Sequence, residues 1–273
     1  VCIFLIVPTL SIILFSQTQI PKMETPEKVS GVLSMLKNKS VWLCVSAIFL
    51  GGASECTMAQ WASGYLEQAL GIPKVMGDIF GVAMFAVMLG TGRSLYAKKG
   101  KNISRVMFFC GVGATICYFT AAFTTLPILG LFACAFTGFC TSMLWPGSLI
   151  VASERVKTGG VFIYALMAAG GDFGASIAPQ LIGVVVDKVS ESNFASELSG
   201  TLSMTTEQIG MKAGMLIASV FPFIGIFLLM FIKNYFKKFG PDERVFKPEL
   251  FNNKLNLHRL RAESAKEFYE ILL

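Results

Sequence analysis

The sequence predicts an all-α membrane protein with six complete transmembrane helices behind a partial one. Three observations carry that prediction. Of 273 residues, 54% are hydrophobic and only 15% charged, with a mean hydropathy of +0.64; a soluble domain carries about a quarter charged residues. The apolar residues are gathered into blocks long enough to cross a bilayer, which takes about 20 residues of helix. Charge is expelled from the interiors of these blocks, apart from Glu55 within VWLCVSAIFLGGASECTMAQWASGYL and Asp172 within FIYALMAAGGDFGASIAPQLIGVV.

Residues 1–16 read as a truncated transmembrane helix. The chain enters an apolar run at Val1 with no methionine, and the run shows neither the charged start nor the small-residue cleavage site of a signal peptide. The expectation is that the N-terminal part of a longer protein precedes it. Residues 17–40 form a polar linker in which Pro21 and Pro26 oppose a continuous helix. A six-helix bundle over 41–233 follows, with spans near 41–66, 75–92, 106–126, 127–152, 160–186 and 213–232. Most are joined by short turns, and the stretch 187–212 is the longest gap. Residues 234–273 make a charged tail.

Basic residues in the loops set the orientation of a membrane protein. With the linker on the cytoplasmic side, alternation puts the 93–105 loop, the 153–159 loop and the tail there too. That side then holds 20 of the 23 lysines and arginines. A multi-pass protein of the cytoplasmic (inner) cell membrane, with its C-terminus cytoplasmic, is the expectation. On this reading every charge lies in a loop, linker or tail except Glu55 and Asp172. At ~1.5 Å of rise per residue both sit about 18–21 Å from the cytoplasmic ends of their spans, near mid-membrane.

Ionisable groups at that depth are costly and mark candidate functional sites. Glu55 shares a helix face with Gly51, Gly52, Met58, Ala59 and Ala62, which leaves room for a neighbouring helix or a small ligand. Gln60 supplies amide donors and acceptors, and Trp61 an apolar face with an N–H; both suit a polyhydroxylated ligand. Alternatively, Glu55 hydrogen-bonds across a helix interface and Trp61 is an interfacial anchor. Asp172 lies among small residues, and Gly170, Gly171 and Pro179 lower local helix stability. A tightly packed helix with a hydrogen-bonded Asp172 and a ligand or proton role compete evenly there. In the span 127–152, Pro146 is placed to kink the helix after Thr141, Ser142 and Trp145, and breaks at membrane depth are typical of transporter binding regions.

Other chemistry is poorly represented. The seven cysteines all fall in apolar runs with no CxxC or Cys/His pattern, and the single histidine, His258, lies in the tail. Neither a metal site, nor a disulfide, nor a Ser-His-Asp apparatus is expected, and no cofactor is implied. Asn38-Lys-Ser and Asn102-Ile-Ser match the glycosylation pattern but fall on the cytoplasmic side. The tail mixes both signs of charge, which favours a solvated face over a nucleic-acid patch.

The chain resembles the C-terminal half of a major facilitator superfamily transporter. Six spans after a basic linker match that half, and the run before the linker matches the end of family helix six. LGTGRSLYAKKGKN stands where the family repeats its short basic loop, but lacks the usual acid and is one residue longer between Gly92-Arg93 and Gly100. GGASECTMAQWASGYL and LWPGSLIVASER resemble the seventh and tenth helices of fucose-permease-type sugar permeases from bacteria. The resemblance implies two inverted three-helix repeats, 41–126 and 127–232, and alternating access about a midplane site. It also implies a missing six-helix half as partner, a small polar solute such as a sugar, and coupling to a proton. Glu55, Gln60, Trp61, Thr141, Trp145 and Asp172 are then expected on the solute or proton pathway. Pro146, Gly170, Gly171, Gly92 and Arg93 are expected at helix breaks or gates.

Two other classes compete. A non-transporting receptor or assembly subunit would share the topology without a substrate dependence on Glu55. An intramembrane aspartyl protease also uses two membrane carboxylates, but its second aspartate stands in Gly-x-Gly-Asp, where this chain reads Ala169-Gly170-Gly171-Asp172.

Overall fold

A computed structural model describes residues 2–17, 35–100, 102–156 and 160–239. The expected linker over 18–34, the loop 157–159 and the tail over 240–273 lie outside the described residues. Among those described there are helices and no strands. The apolar run at the start is helix α1 (Cys2–Gln17). Six helices are long and apolar enough to cross a membrane. They are α2 (Lys39–Leu70), α3 (Lys74–Lys99), α4 (Ile103–Phe123), the pair α5 (Pro127–Thr141) and α6 (Leu144–Arg155), α7 (Gly160–Ser190), and the pair α9 (Thr206–Ala218) and α10 (Val220–Phe239). A short helix α8 (Asn193–Leu202) lies in what the sequence reads as the 187–212 gap.

The helix ends follow from local chemistry. Asn38 starts α2 by accepting a hydrogen bond from the Ser40 amide, and Asn102 starts α4 by accepting one from Arg105. Both apparent glycosylation signals are therefore N-caps, which satisfy amides that have no partner within the helix. Gly71 ends α2 at φ 65°, with its N–H on Glu67 and that of Ile72 on Leu66. Glycine adopts this left-handed geometry without steric cost. Thr205 and Gln208 form a reciprocal capping box on α9.

The second span differs from expectation. It runs on to Lys99 rather than ending near 92, because Arg93 to Lys99 holds no glycine or proline and is rich in good helix formers. Gly100 stops it. Arg93, assigned to a loop, and Asp78, passed over in the π-helical turn Gly77–Ala83, thus both lie inside this helix. Asp78 accepts a hydrogen bond from Ser63 of α2.

Helix α2 is the axis of the bundle. It packs on α3, α5, α6, α7, α9 and α10. It is also tied to α4 by the Tyr65 hydroxyl, which donates to the Ala121 carbonyl, and by Tyr118, which donates to the Ser54 carbonyl at 2.8 Å. The tightest crossing is with α7. A Cβ on Gly52 would meet the Gly171 carbonyl oxygen, one on Gly174 the Phe49 carbonyl, and one on Gly170 the Val45 side chain. Without a hydrophobic drive between helices in lipid, close backbone approach through small residues supplies the packing. Gly170 and Gly171 therefore do not break α7, which is helical throughout from Gly160 to Ser190 with Pro179 inside it. This corrects their assignment as a helix break: an interface buried against backbone outweighs glycine's poor helix propensity.

A helix break with a bridged arginine as the candidate functional site

The fourth span is interrupted at Ser142 and Met143, between α5 and α6. Pro146 explains where. A proline has no N–H to give the carbonyl four residues back, and its ring crowds that carbonyl. For Pro146 that carbonyl belongs to Ser142. The proline sits in the first turn of α6 rather than kinking a continuous helix, and the Ser142 carbonyl is left without its helical donor.

Arg93 supplies one. Its Nε donates to the Ser142 carbonyl oxygen at 3.2 Å, while its Nη2 donates to both oxygens of Glu55 at 2.9 and 3.0 Å. Glycine makes the reach possible. Gly92 is buried, and a Cβ there would strike the Ser142 side chain; farther along, Gly138 of α5 lies against the Phe85 carbonyl of α3. Helices α3 and α5 thus approach closely and deliver the guanidinium to the break. The Glu55 side chain is 16% exposed and that of Arg93 is 42% exposed, so the pair sits at the edge of the bundle rather than within its core. Buried ions are tolerated when paired and hydrogen-bonded, and here one cation meets a carboxylate and an orphaned carbonyl together.

Asp172 is elsewhere. It is exposed on α7, and among the described residues its carboxylate has no ion-pair partner. Ser176 and Gln180 follow at four-residue spacing and are exposed as well, so the three line one face of α7. Gln60 is exposed on α2. Trp145, half-buried, lays its indole N–H edge against Gly171, the residue before Asp172. These groups surround the α2–α7 crossing.

Two expected pathway residues are turned to structural work. Trp61 donates its indole N–H to the Pro179 carbonyl at 3.1 Å, clamping α2 to α7. Thr141 is fully buried, and its hydroxyl donates to the Thr137 carbonyl at 3.0 Å. Gln180, Tyr65, Tyr118 and Asp78 have marked positions that sequence reasoning did not single out, and Ser142, noted only as preceding the kink, offers its carbonyl to Arg93. The Asp172-Ser176-Gln180 spacing is a signal that would have found Gln180. Nothing in the sequence points to a free carbonyl at Ser142 except its distance from Pro146. The hydroxyl of Thr57, two residues from Glu55, is buried with no hydrogen-bond partner among the described residues.

A bundle of six apolar spans, each long enough to cross a bilayer, has the form of a polytopic membrane protein. The family model of the Major Facilitator Superfamily matches residues 1–179, and the chain belongs to that family of membrane transporters. No curated protein and no solved structure gave a match.

Proposed function

We propose that the six spans form the C-terminal half of a secondary active transporter. It moves a small polar solute of the sugar class by alternating access, with Glu55 as a proton site. The observation that carries this reading is the Arg93 bridge between Glu55 and the Ser142 carbonyl. It joins three spans, α2, α3 and the broken α5–α6, through one cation. A proton on Glu55 removes the negative charge that holds Arg93, leaving the guanidinium only the neutral Ser142 carbonyl. Such a contact has two states that differ by one proton, and a bistable element of this kind is what a ligand must bias to drive a conformational change.

Solute recognition falls to the polar face around the α2–α7 crossing: Asp172, Ser176 and Gln180 of α7, Gln60 of α2, and the indole of Trp145. This set offers hydroxyl, amide and carboxylate groups beside an aromatic ring, which matches a solute rich in hydroxyls. In family terms the spans form two inverted repeats, and the helices carrying this face work against a second six-helix half. The membrane is the cell membrane, with the basic ends of the helices cytoplasmic.

The protease reading loses its geometry. An aspartyl dyad needs two carboxylates sharing a proton, whereas both oxygens of Glu55 are engaged by Arg93.

The test is uptake by the complete transporter against a panel of labelled monosaccharides and polyols at several external pH values. The expected result is saturable uptake of one or a few members, driven by an inward proton gradient and lost in Glu55→Gln. Gradient-driven uptake that Glu55→Gln leaves unchanged at every pH would remove the proton role.

A further inference from the structure

At one end of the bundle, α4 and α10 pack on each other and on α2, and between them lies a cavity of about 370 Å³. Its lining has two parts. Asn102, Ser104, Arg105 and Lys233 are polar or basic; Phe108, Phe109, Leu229 and Met230 are apolar. The polar part includes the N-terminus of α4, a 21-residue helix capped by Asn102. Among the described residues no carboxylate lines the cavity, and neither Arg105 nor Lys233 has an ion-pair partner. Along the helices away from this end, the outward surface is a run of exposed apolar side chains: Phe109, Ile116 and Phe123 on α4, and Phe223, Phe227 and Phe231 on α10.

Two cations and a positive helix end above a greasy groove match one kind of occupant. The phosphate of a lipid headgroup meets Arg105, Lys233 and the α4 amides, and its acyl chains lie over the apolar side chains below. Basic pockets between transmembrane helices at the cytoplasmic face bind anionic headgroups in this way, and helix N-termini favour phosphate. A soluble phosphate would leave the aromatic half of the groove unused. We infer that the α4–α10 groove is a binding site for an anionic phospholipid, held by Arg105 and Lys233. This stands apart from the translocation reading, since neither cation touches Glu55, Arg93 or the α7 polar face.

The experiment is native mass spectrometry of the purified chain equilibrated with mixed dioleoyl-phosphatidylglycerol and dioleoyl-phosphatidylcholine. The chain is expected to retain phosphatidylglycerol selectively. Each of Arg105→Gln and Lys233→Gln should lower that preference about fivefold, and the double variant about twenty-five-fold. Lys74→Gln, at the opposite end of the bundle, should leave it unchanged. A second measurement uses the unmutated chain: phosphatidylglycerol carrying a photoreactive acyl group should crosslink to peptides containing residues 104–109 and 229–233. An unchanged preference in the double variant, an equal loss in Lys74→Gln, or crosslinks spread elsewhere would overturn the assignment. Displacement of the lipid by an equal concentration of glycerol phosphate would show a soluble-phosphate site instead.

Discussion

Arg93 and Glu55, 38 residues apart, meet through one guanidinium nitrogen lying 2.9 and 3.0 Å from the two carboxylate oxygens. The same side chain caps the carbonyl that Pro146 leaves free. The pair and the helix break are therefore one device. Removing either member changes the environment of the other.

The coupling between the two charges is measurable. Glu55→Gln and Arg93→Gln each leave a half-buried charge without its partner, and the double variant leaves none. A double-mutant cycle on thermal unfolding in detergent should give an interaction of about 0.5–3 kcal/mol. Additive effects would mean that the ion pair contributes nothing to the fold.

Pro146→Ala restores an N–H four residues after Ser142. The new amide competes with Arg93 for the Ser142 carbonyl and favours a continuous fourth span. The expected outcome is a stable protein with impaired uptake, accompanied by altered reactivity of cysteines introduced at exposed α7 positions. Wild-type uptake together with wild-type reactivity would show that the break is not part of the cycle.

The α2–α7 crossing has no space for side chains at its glycines. Gly52→Leu and Gly174→Leu place a side chain against backbone carbonyls that cannot move aside cheaply. Overpacking typically costs about 1–3 kcal/mol, and contact with backbone puts these at or above the top of that range. A lowered unfolding temperature and reduced yield are expected. Gly90→Leu, which would meet nothing nearby, is the matching control.

Thr57 gives a prediction of opposite sign. Its hydroxyl is buried and unpaired among the described residues, and a buried polar group without a hydrogen bond costs about 1–3 kcal/mol in proteins. Thr57→Val keeps the shape and removes that cost, so it should raise the unfolding temperature. A clear decrease would reveal a water or solute bonded to the hydroxyl.

Tyr65→Phe and Tyr118→Phe each remove one tie between α2 and α4. Hydrogen bonds inside membrane bundles average about 0.6 kcal/mol and reach about 1.7. Each loss should fall in that range by reversible unfolding, with no change in the pH dependence of uptake.

The six spans, the short apolar helix before them and the two carboxylates were readable from the residues alone. Hydropathy and helix length are properties of contiguous sequence, and a bilayer demands both wherever the chain crosses it. Pro146 likewise announced a break, because the missing N–H is its own. Tertiary structure decided the rest. Glu55 meets Arg93 because Gly92 lets α3 close on α5, and that closeness depends on two surfaces distant in sequence. Gly170 and Gly171 look like weak points in a helix until the backbone of α2 is laid against them. Which groups meet across a bundle is set by how helices rotate and cross, and no local pattern encodes that rotation.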